Sequence, residues 1–552
     1  MKRLLLILLL LPVCVAQNAY AQGWEWAKGA VGNESEATFC ATDASGNIYG
    51  AGYFFGETSF EHDTLRTNIS GLGIMLLVKY SSTGTVLWAS APDIGLSYAD
   101  GIATDLFEHV YVLGVYDTFF RLNGHTLSNP YPVSTTNFLA KYDSAGNIIW
   151  LKNIGNIAAG NNWASTSIAT DAYGNIYLTS SYYSNGRIGV DSFTNHGGTA
   201  DIFLSKLDSS GNPIWTKTFG GSGMDITTGI AVTPTGSNIY IAGYFDSDTL
   251  AFGSTILTDT SSIPHYYGMF LTKLDNLGNS IWSRGSGTVQ PYGPMRGVAI
   301  DSSEDIFITG SYSLYPINFG AFTLPQSGTG LKGFLVKYSS LGNVEWAKAM
   351  QGPSVAPYSV SYDNCGNSVW IVGSIYRVGN DTIDGHILSP PLMSTEPSFI
   401  AGWYPDGTYI RASSIQTDGY STIACDGLGN IGICGDGEQD TLILANDTLT
   451  NMNEHVFVAK YNIWRDCATS SVANHTPIGD EIMIYPNPAI TQIIIQSLNK
   501  SLNSISIYNF LGQAMYAQHY NALKVEIDVS ALPVGVYLIR INGTEVRKFV
   551  KL

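Results

Sequence analysis

Charge is scarce in this chain of 552 residues, at 13% Asp, Glu, Lys and Arg together. Basic residues are the scarcer sign: 27 Lys and Arg stand against 44 Asp and Glu, a net charge of −17. Nucleic acid and anionic membrane both require clustered Lys and Arg, so neither is an expected partner. Lys, Arg and Glu also populate exposed helix faces, and their shortage disfavours long helices. Cysteine is rare, at 6 residues. Five of them follow residue 21 (Cys40, Cys365, Cys425, Cys434, Cys467), and an odd number blocks a complete disulfide framework. Cys425 and Cys434 fall on neighbouring expected strands in a diagonal register, which is poor geometry for a bridge. Beyond the N-terminus no run approaches the roughly 18 apolar residues of a membrane helix.

What is abundant points to strands. The chain has 59 Gly, 33 Tyr and 45% hydrophobic residues. That composition suits many short strands joined by turns, and it excludes disorder. The length is enough for more than one domain.

The N-terminus reads as an export signal over residues 1–21. Lys2 and Arg3 precede the apolar run from Leu4 to Leu11, and Ala19-Tyr20-Ala21 offers small residues for cleavage. A lipoprotein signal at Cys14 is the rival reading, but Val13 stands where a small residue is usual. The mature chain is expected to carry no transmembrane segment.

The middle of the chain repeats. An aromatic or equivalent position recurs at Tyr49, Tyr111, Tyr177, Tyr240, Phe307, Trp370 and Gly432, every 62–67 residues. A Lys series follows at Lys79, Lys141, Lys206, Lys273, Lys337 and Lys460. Nine residues after each of the first five stands Trp88, Trp150, Trp215, Trp282 or Trp346. The sixth copy departs, with Gly402 at the Lys position and Arg411 at the Trp position. Each unit reads as four strands, A to D, with Asp-x-x-Gly-Asn turns in which Asp folds onto the backbone and Gly takes positive φ. The seventh copy stops after Tyr461 without a D strand. Trp24-Glu25-Trp26-Ala27-Lys28 matches Val344-Glu345-Trp346-Ala347-Lys348, strand D of the fifth copy, so the N-terminal segment is expected to supply the missing strand. The pattern resembles the bacterial β-propeller repeat family. It implies an all-β, seven-bladed β-propeller of four-stranded blades over residues 22–466, closed by the N-terminal strand.

The C-terminus carries a second signature. Tyr485-Pro486-Asn487-Pro488 opens it, Leu511-Gly512-Gln513 follows, then Leu532-Pro533-Val534-Gly535-Val536-Tyr537 and a basic tail, Arg547-Lys548-Phe549-Val550-Lys551. These blocks resemble the type A C-terminal sorting domain of the type IX secretion system. The resemblance implies a Bacteroidetes-type bacterium, transit through the periplasm and outer membrane, and the secretion machinery as a partner. It also implies secretion or display at the outer cell surface, with attachment to lipopolysaccharide in many members. Ile493 and Ile495, then Ile505 and Ile507, alternate with polar residues as half-buried strands do. Residues 481–552 are expected to form a small Ig-like β-sandwich, after a linker at 467–480.

Chemistry is harder to find. No nucleophile, zinc or nucleotide motif is present, and no catalytic residue, metal or cofactor is assigned. His62, His125, His196, His265, His386 and His455 lie in the B–C connections, but in different repeats and without ligand spacing. Arg66, Arg121, Arg187, Arg296 and Arg377 are candidates for a sialidase-like cluster only if the fold converges them. The connections also keep apolar pairs five apart, such as Phe60/Leu65 and Leu122/Leu127, which read as a small extra hairpin in each repeat. Candidate ligand contacts are Tyr53, Phe54, Phe120, Tyr182, Tyr183, Tyr266, Tyr267 and Tyr312, read as lying after strand B or in its loop. Their alternative role is packing between blades. The leading expectation is an exported binding or adhesion protein for glycan or protein ligands. A polysaccharide-acting hydrolase or lyase and a structural spacer stand as alternatives.

Overall fold

The structure, a computed structural model, describes residues 23–463 except 68–72, 131–134, 156–166, 184, 259–266, 290–296, 327–329, 353, 378–381, 389–396, 419–420, 438–440, 445–446 and 451–454. It also describes residues 482–551 except 486–488, 490, 498–500, 510–512, 534 and 543–544. The expected signal at 1–21 and linker at 467–480 lie outside these. Every regular element among the described residues is a strand. The chain divides into two compact units, Met1–Ala468 and Thr469–Leu552.

Among the described residues the first unit holds, besides small hairpins, seven sheets each built on four antiparallel strands. Six take strands A to D from consecutive segments. In the first these are Ser35–Thr42, Ile48–Phe54, Ile74–Tyr80 and Val86–Ser90. The seventh takes Thr422–Cys425, Asn430–Gly437 and His455–Asn462 from the end of the unit. Its fourth strand is Gly23–Gly29, antiparallel to His455–Asn462 with Ala27 opposite Ala459.

The repeated residues share one hydrogen-bond design. In the third sheet Asp171 Oδ1 accepts the backbone N–H groups of Tyr173 and Asn175 at 2.9 and 3.0 Å. Its Oδ2 accepts the Asn175 amide and the Tyr177 hydroxyl at 2.7 and 3.0 Å. Gly174 completes the turn at φ +76°. Asp43 with Tyr49 and Asp105 with Tyr111 repeat the arrangement. The recurring Tyr is therefore a buried ring whose hydroxyl needs an acceptor, and the turn Asp supplies it.

Lys and Trp reach one sheet further. Lys79 Nζ lies 3.3 Å from Asp43 Oδ2 and donates to the Ser144 carbonyl at 3.1 Å. Trp88 Nε1 donates to the same carbonyl at 3.1 Å. Ser144 sits in the C–D turn of the second sheet. Trp150, Trp215, Trp282 and Trp346 donate likewise to Ser209, Asn276, Ser340 and Pro405, at 3.4, 3.2, 3.3 and 2.9 Å. Trp26 and Lys460 of the seventh sheet both donate to Ser82 of the first, at 3.2 and 3.1 Å.

The irregular copies have physical reasons. The seventh sheet has no C–D turn, because its D strand comes from the N-terminal segment. An indole in the sixth sheet would have no such carbonyl to reach, and Arg411 stands there instead. Trp370 occupies the Tyr position, with its Nε1 donating to Ser368 Oγ at 2.9 Å. A Cβ on Gly402 would lie 2.6 Å from that indole, so the larger ring has taken the Lys space. In the fourth sheet, Thr233 stands where the turn Asp belongs. There Tyr240 and Lys273 donate instead to Glu304 of the fifth sheet, at 2.8 and 3.0 Å.

Hydrophobic packing runs from sheet to sheet. Separate clusters join the first sheet to the second, and so on to the sixth and seventh. One more joins Trp26, Cys434, Val456 and Val458 of the seventh to Ala37, Ile48, Leu76 and Val78 of the first. Each B–C connection contains a small hairpin, the first being Glu57–Phe60 with Asp63–Arg66. Its leading apolar residue (Phe60, Leu122, Ile188, Phe252, Phe319, Ile383 or Leu444) is buried.

The second unit has a three-stranded sheet, Ile482–Tyr485, Gln492–Ser497 and Lys524–Asp528, and a four-stranded one from Leu502 onward. Ile493, Ile495, Ile505, Ile507, Ile539 and Phe549 form one core between them.

Candidate functional site

The strongest polar constellation lies between the third and fourth sheets, at the end where strand B leads into the B–C connection. Asp201 opens strand Asp201–Leu207 and pairs with Tyr182, the last residue of strand Ile176–Tyr182. Asp225 opens strand Asp225–Val232 and pairs with Phe245. Both are fully buried. In the first two sheets the residues paired like Asp225 are Ser35 and Ser97. Those paired like Asp201 elsewhere are Ile74, Thr136, Gly268 and Lys332. Two carboxylates thus replace ordinary repeat residues at one junction.

Their partners are local. His196 Nδ1 lies 2.9 Å from Asp201 Oδ2, which also accepts the His196 backbone N–H. Asp225 Oδ2 accepts Gly221 N–H at 2.7 Å and Ser247 Oγ–H at 2.8 Å. Asp246, half-buried, accepts the Met224 N–H. The loop Gly220-Gly221-Ser222-Gly223 passes flush against these groups. A Cβ on Gly220 would lie 2.0 Å from Asp201 Oδ1, and one on Gly223 2.2 Å from Asp246 Oδ1. Only glycine allows that approach.

Among the described residues, Asp201 Oδ1 and Asp225 Oδ1 are buried without a hydrogen-bond partner. Burial, and then the charges of Asp201 and Asp246, push Asp225 up to about 7. Asp225 therefore keeps its proton to near-neutral pH, which turns an orphan acceptor into a donor. An aromatic rim borders the cluster. Tyr183 is half-buried, and Tyr244 meets Tyr267 edge to face at 5.1 Å. Burial raises the Tyr183 and Tyr267 hydroxyls, the latter with help from Asp246. A second acid–aromatic patch lies at the same end of the first two sheets. Tyr53 packs edge to face against Phe55 and Tyr98, at 5.7 and 5.4 Å. Burial and a hydrogen bond to Glu36 raise its hydroxyl, with Glu34 and Asp436 close by.

The aromatic candidates divide. Phe54, Phe120, Tyr182, Tyr267 and Tyr312 are buried, which withdraws them as ligand contacts. The reason is strand length: Ile48–Phe54, Ile176–Tyr182 and Ile306–Tyr312 run on through these residues, and Tyr267 opens a C strand. Phe120 stacks on Phe138 at 4.5 Å. Tyr53 and Tyr183 stay half-buried, and Tyr266 lies outside the described residues. Arg66 is tied to Glu57, Arg121 to Asp93 and Arg187 to the Gly189 carbonyl, so these three do not converge. Cys425 and Cys434 are unbridged, with Cys434 opposite Thr422. Sequence reasoning missed Asp201, Asp225 and Asp246 because they are spread over two repeats. Alignment of the repeats on the last residue of strand B would have exposed the first two.

In the second unit Tyr537 is buried and donates to the Pro533 carbonyl at 2.7 Å, stacking on Phe549 at 5.4 Å. Leu532 packs against the same core. Gln513 N–H donates to Asn509 Oδ1 at 2.9 Å. Gly535 opens strand Gly535–Ile541, and the backbone of Tyr485 ends strand Ile482–Tyr485. Pro486, Asn487, Pro488, Leu511 and Gly512 lie outside the described residues.

Residues 483–552 match the family described as the secretion system C-terminal sorting domain. The chain thus carries a type IX export signal and is sent to the cell surface or extracellular space. An uncharacterised WD repeat-containing protein of Acanthamoeba polyphaga mimivirus is 27% identical over 341 residues, 50% of this chain and 24% of that one. Regulatory protein FlaEY of Caulobacter vibrioides is 26% identical over 256 residues, 43% of this chain and 24% of that one. The chain spans about a quarter of the length of these curated relatives. Among solved structures, PorZ, a surface component of the type IX secretion system of Porphyromonas gingivalis, matches at 12% identity and TM-score 0.24. The match covers 94% of this chain and 81% of that one. An ulvan lyase, a polysaccharide lyase, matches at 9% identity and TM-score 0.37, covering 75% of this chain and 92% of that one.

Proposed function

We propose that this exported chain is a surface-displayed or secreted binding protein whose first unit is a seven-bladed propeller closed by its N-terminal strand. Closure draws support from the Trp donation that recurs at six sheet-to-sheet junctions, Trp26 to Ser82 included, with Lys460 sharing that carbonyl as Lys79 shares that of Ser144. The sorting motif residues Tyr485, Gln513, Leu532, Pro533, Gly535 and Tyr537 belong to the delivery module, together with Pro486, Asn487, Pro488, Leu511 and Gly512.

The ligand is a glycan without acidic groups, held at the strand-B end. The observation that carries this reading is the placing of half-buried rings near carboxylates: Tyr53 beside Glu36, and Tyr183 and Tyr244 around Tyr267, whose hydroxyl feels Asp246. Rings cover the apolar faces of sugars, and carboxylates accept their hydroxyl protons. The same carboxylates repel sulfate and uronate groups. The test is a glycan array probed with the mature exported protein. Neutral glycans should bind, and Tyr53→Ala or Tyr183→Ala should weaken them at least tenfold. Binding only to acidic glycans, or none at all, would sink the reading.

One observation favours a second reading, a polysaccharide-acting enzyme: Asp225, at about 7, stands beside Asp201 and Asp246, and divided carboxyl pairs serve acid–base chemistry. Its test is release of reducing ends from polysaccharide, abolished by Asp225→Asn.

A further inference from the structure

The seventh and first sheets meet at a position where the repeat is broken in a concerted way. In six sheets one cross-strand pair between A and B is built from two branched apolar residues. These are Ile102 with Val112, Ile168 with Leu178, Ile230 with Ile241, Val298 with Ile308, Val360 with Ile371 and Ile423 with Ile433. In the first sheet alone the same pair is Cys40 with Gly50. The missing side-chain volume is taken from across the seam. Cys434 of the seventh sheet points into it, and a Cβ on Gly50 would lie 3.5 Å from Cys434 Sγ. Cys434 Sγ also reaches the Tyr49 carbonyl at 3.6 Å. Cys40 packs on the apolar cluster that contains Cys434, close enough for the two thiols to influence each other. Paired residues on antiparallel strands point to one face about 5 Å apart, so Gly50 is what lets the two sulfurs meet.

We infer that Cys40 and Cys434 form a disulfide in the exported protein, cross-linking the first sheet to the seventh. Both are thiols in the present structure. The oxidant is a donor protein disulfide of the oxidising compartment that an exported chain crosses. One cysteine thiolate attacks the donor, forming a mixed disulfide and releasing one donor thiolate. The second cysteine thiolate then displaces the other donor sulfur. One S–S bond forms and one breaks, and the donor leaves as a dithiol carrying the two electrons and the two protons. Burial holds the Cys434 thiol well above its ordinary range. Exchange therefore precedes ring closure or follows seam opening, when a thiolate is accessible. A disulfide elsewhere in the chain, at Cys365, fits such an environment.

The bond would tie together residues almost a full unit apart in sequence, at the seam that strand Gly23–Gly29 and the shared apolar cluster otherwise hold without a covalent link. The test uses the full mature protein collected from the culture medium or cell surface and alkylated at once. Peptide mapping without reduction should recover a linked pair containing Cys40 and Cys434 that separates on reduction. The Cys425→Ala variant should retain it, and reductant should lower the melting temperature of wild type by more than that of Cys434→Ser, in which only the Cys365 disulfide is left to open. Full alkylation of Cys40 and Cys434 without reductant, or a Cys40–Cys425 link, would overturn the assignment.

Discussion

The indole of Trp26 donates to the Ser82 carbonyl across 3.2 Å, so the N-terminal strand grips a turn 56 residues further along the chain. Trp88 makes the same bond to Ser144 inside the regular repeat, at 3.1 Å. In both cases a Lys shares the carbonyl, Lys460 in one and Lys79 in the other. Phe in place of either Trp removes the pyrrole half of the indole, and with it one hydrogen bond and some packing. Trp26→Phe and Trp88→Phe should each cost about 1 kcal/mol or more. Chemical denaturation checks this, and a Trp26 effect much smaller than that of Trp88 would speak against equivalence.

Gly402 and Trp370 should be coupled. Gly402→Lys forces a Cβ to within 2.6 Å of the Trp370 indole and is expected to destabilise by about 2 kcal/mol or more. Adding Trp370→Tyr restores the pairing found in the regular copies and should recover at least half of that loss. A double-mutant cycle measures the coupling. Simple additivity would show that the two residues did not trade space.

Asp225 should make stability depend on pH. Its folded value of about 7 stands above the ordinary 3.8. The stabilising form is protonated, so the contribution is full below about pH 4 and is lost as pH rises through 7. Asp100 acts in the same direction, pushed up to about 7 by burial. The decisive comparison is therefore wild type against Asp225→Asn. The variant should melt higher than wild type at pH 8 and near it at pH 4. Parallel melting curves across that range would exclude Asp225 as the source.

The sorting assignment predicts location. Without residues 481–552 the first unit should remain in the periplasm, as measured by fractionation, and normal display at the surface would contradict the type IX route.

The repeat was legible because its residues do the same job in sheet after sheet. Tyr, Asp, Lys and Trp recur where a buried hydroxyl must be satisfied and a turn on the next sheet gripped. The match of residues 24–28 to 344–348 was legible for the same reason, since the two segments are D strands. The acidic junction was not, because Asp201 and Asp225 are exceptions, informative only once paired positions are known. The error over Phe54, Tyr182 and Tyr312 came from strand ends. Continuation of a ladder by two residues turns a supposed loop ring into a core ring, and local pattern does not record where pairing stops.

Loss of the N-terminal strand tests the central claim most directly. Without residues 23–28 the backbone groups of His455–Asn462 lose their partner on one side, and Trp26 leaves the shared cluster. The melting temperature of the shortened mature protein should fall by at least 5 °C, with faster amide exchange at Val458 and Lys460. A melting temperature and exchange pattern equal to those of the intact protein would contradict closure by this strand.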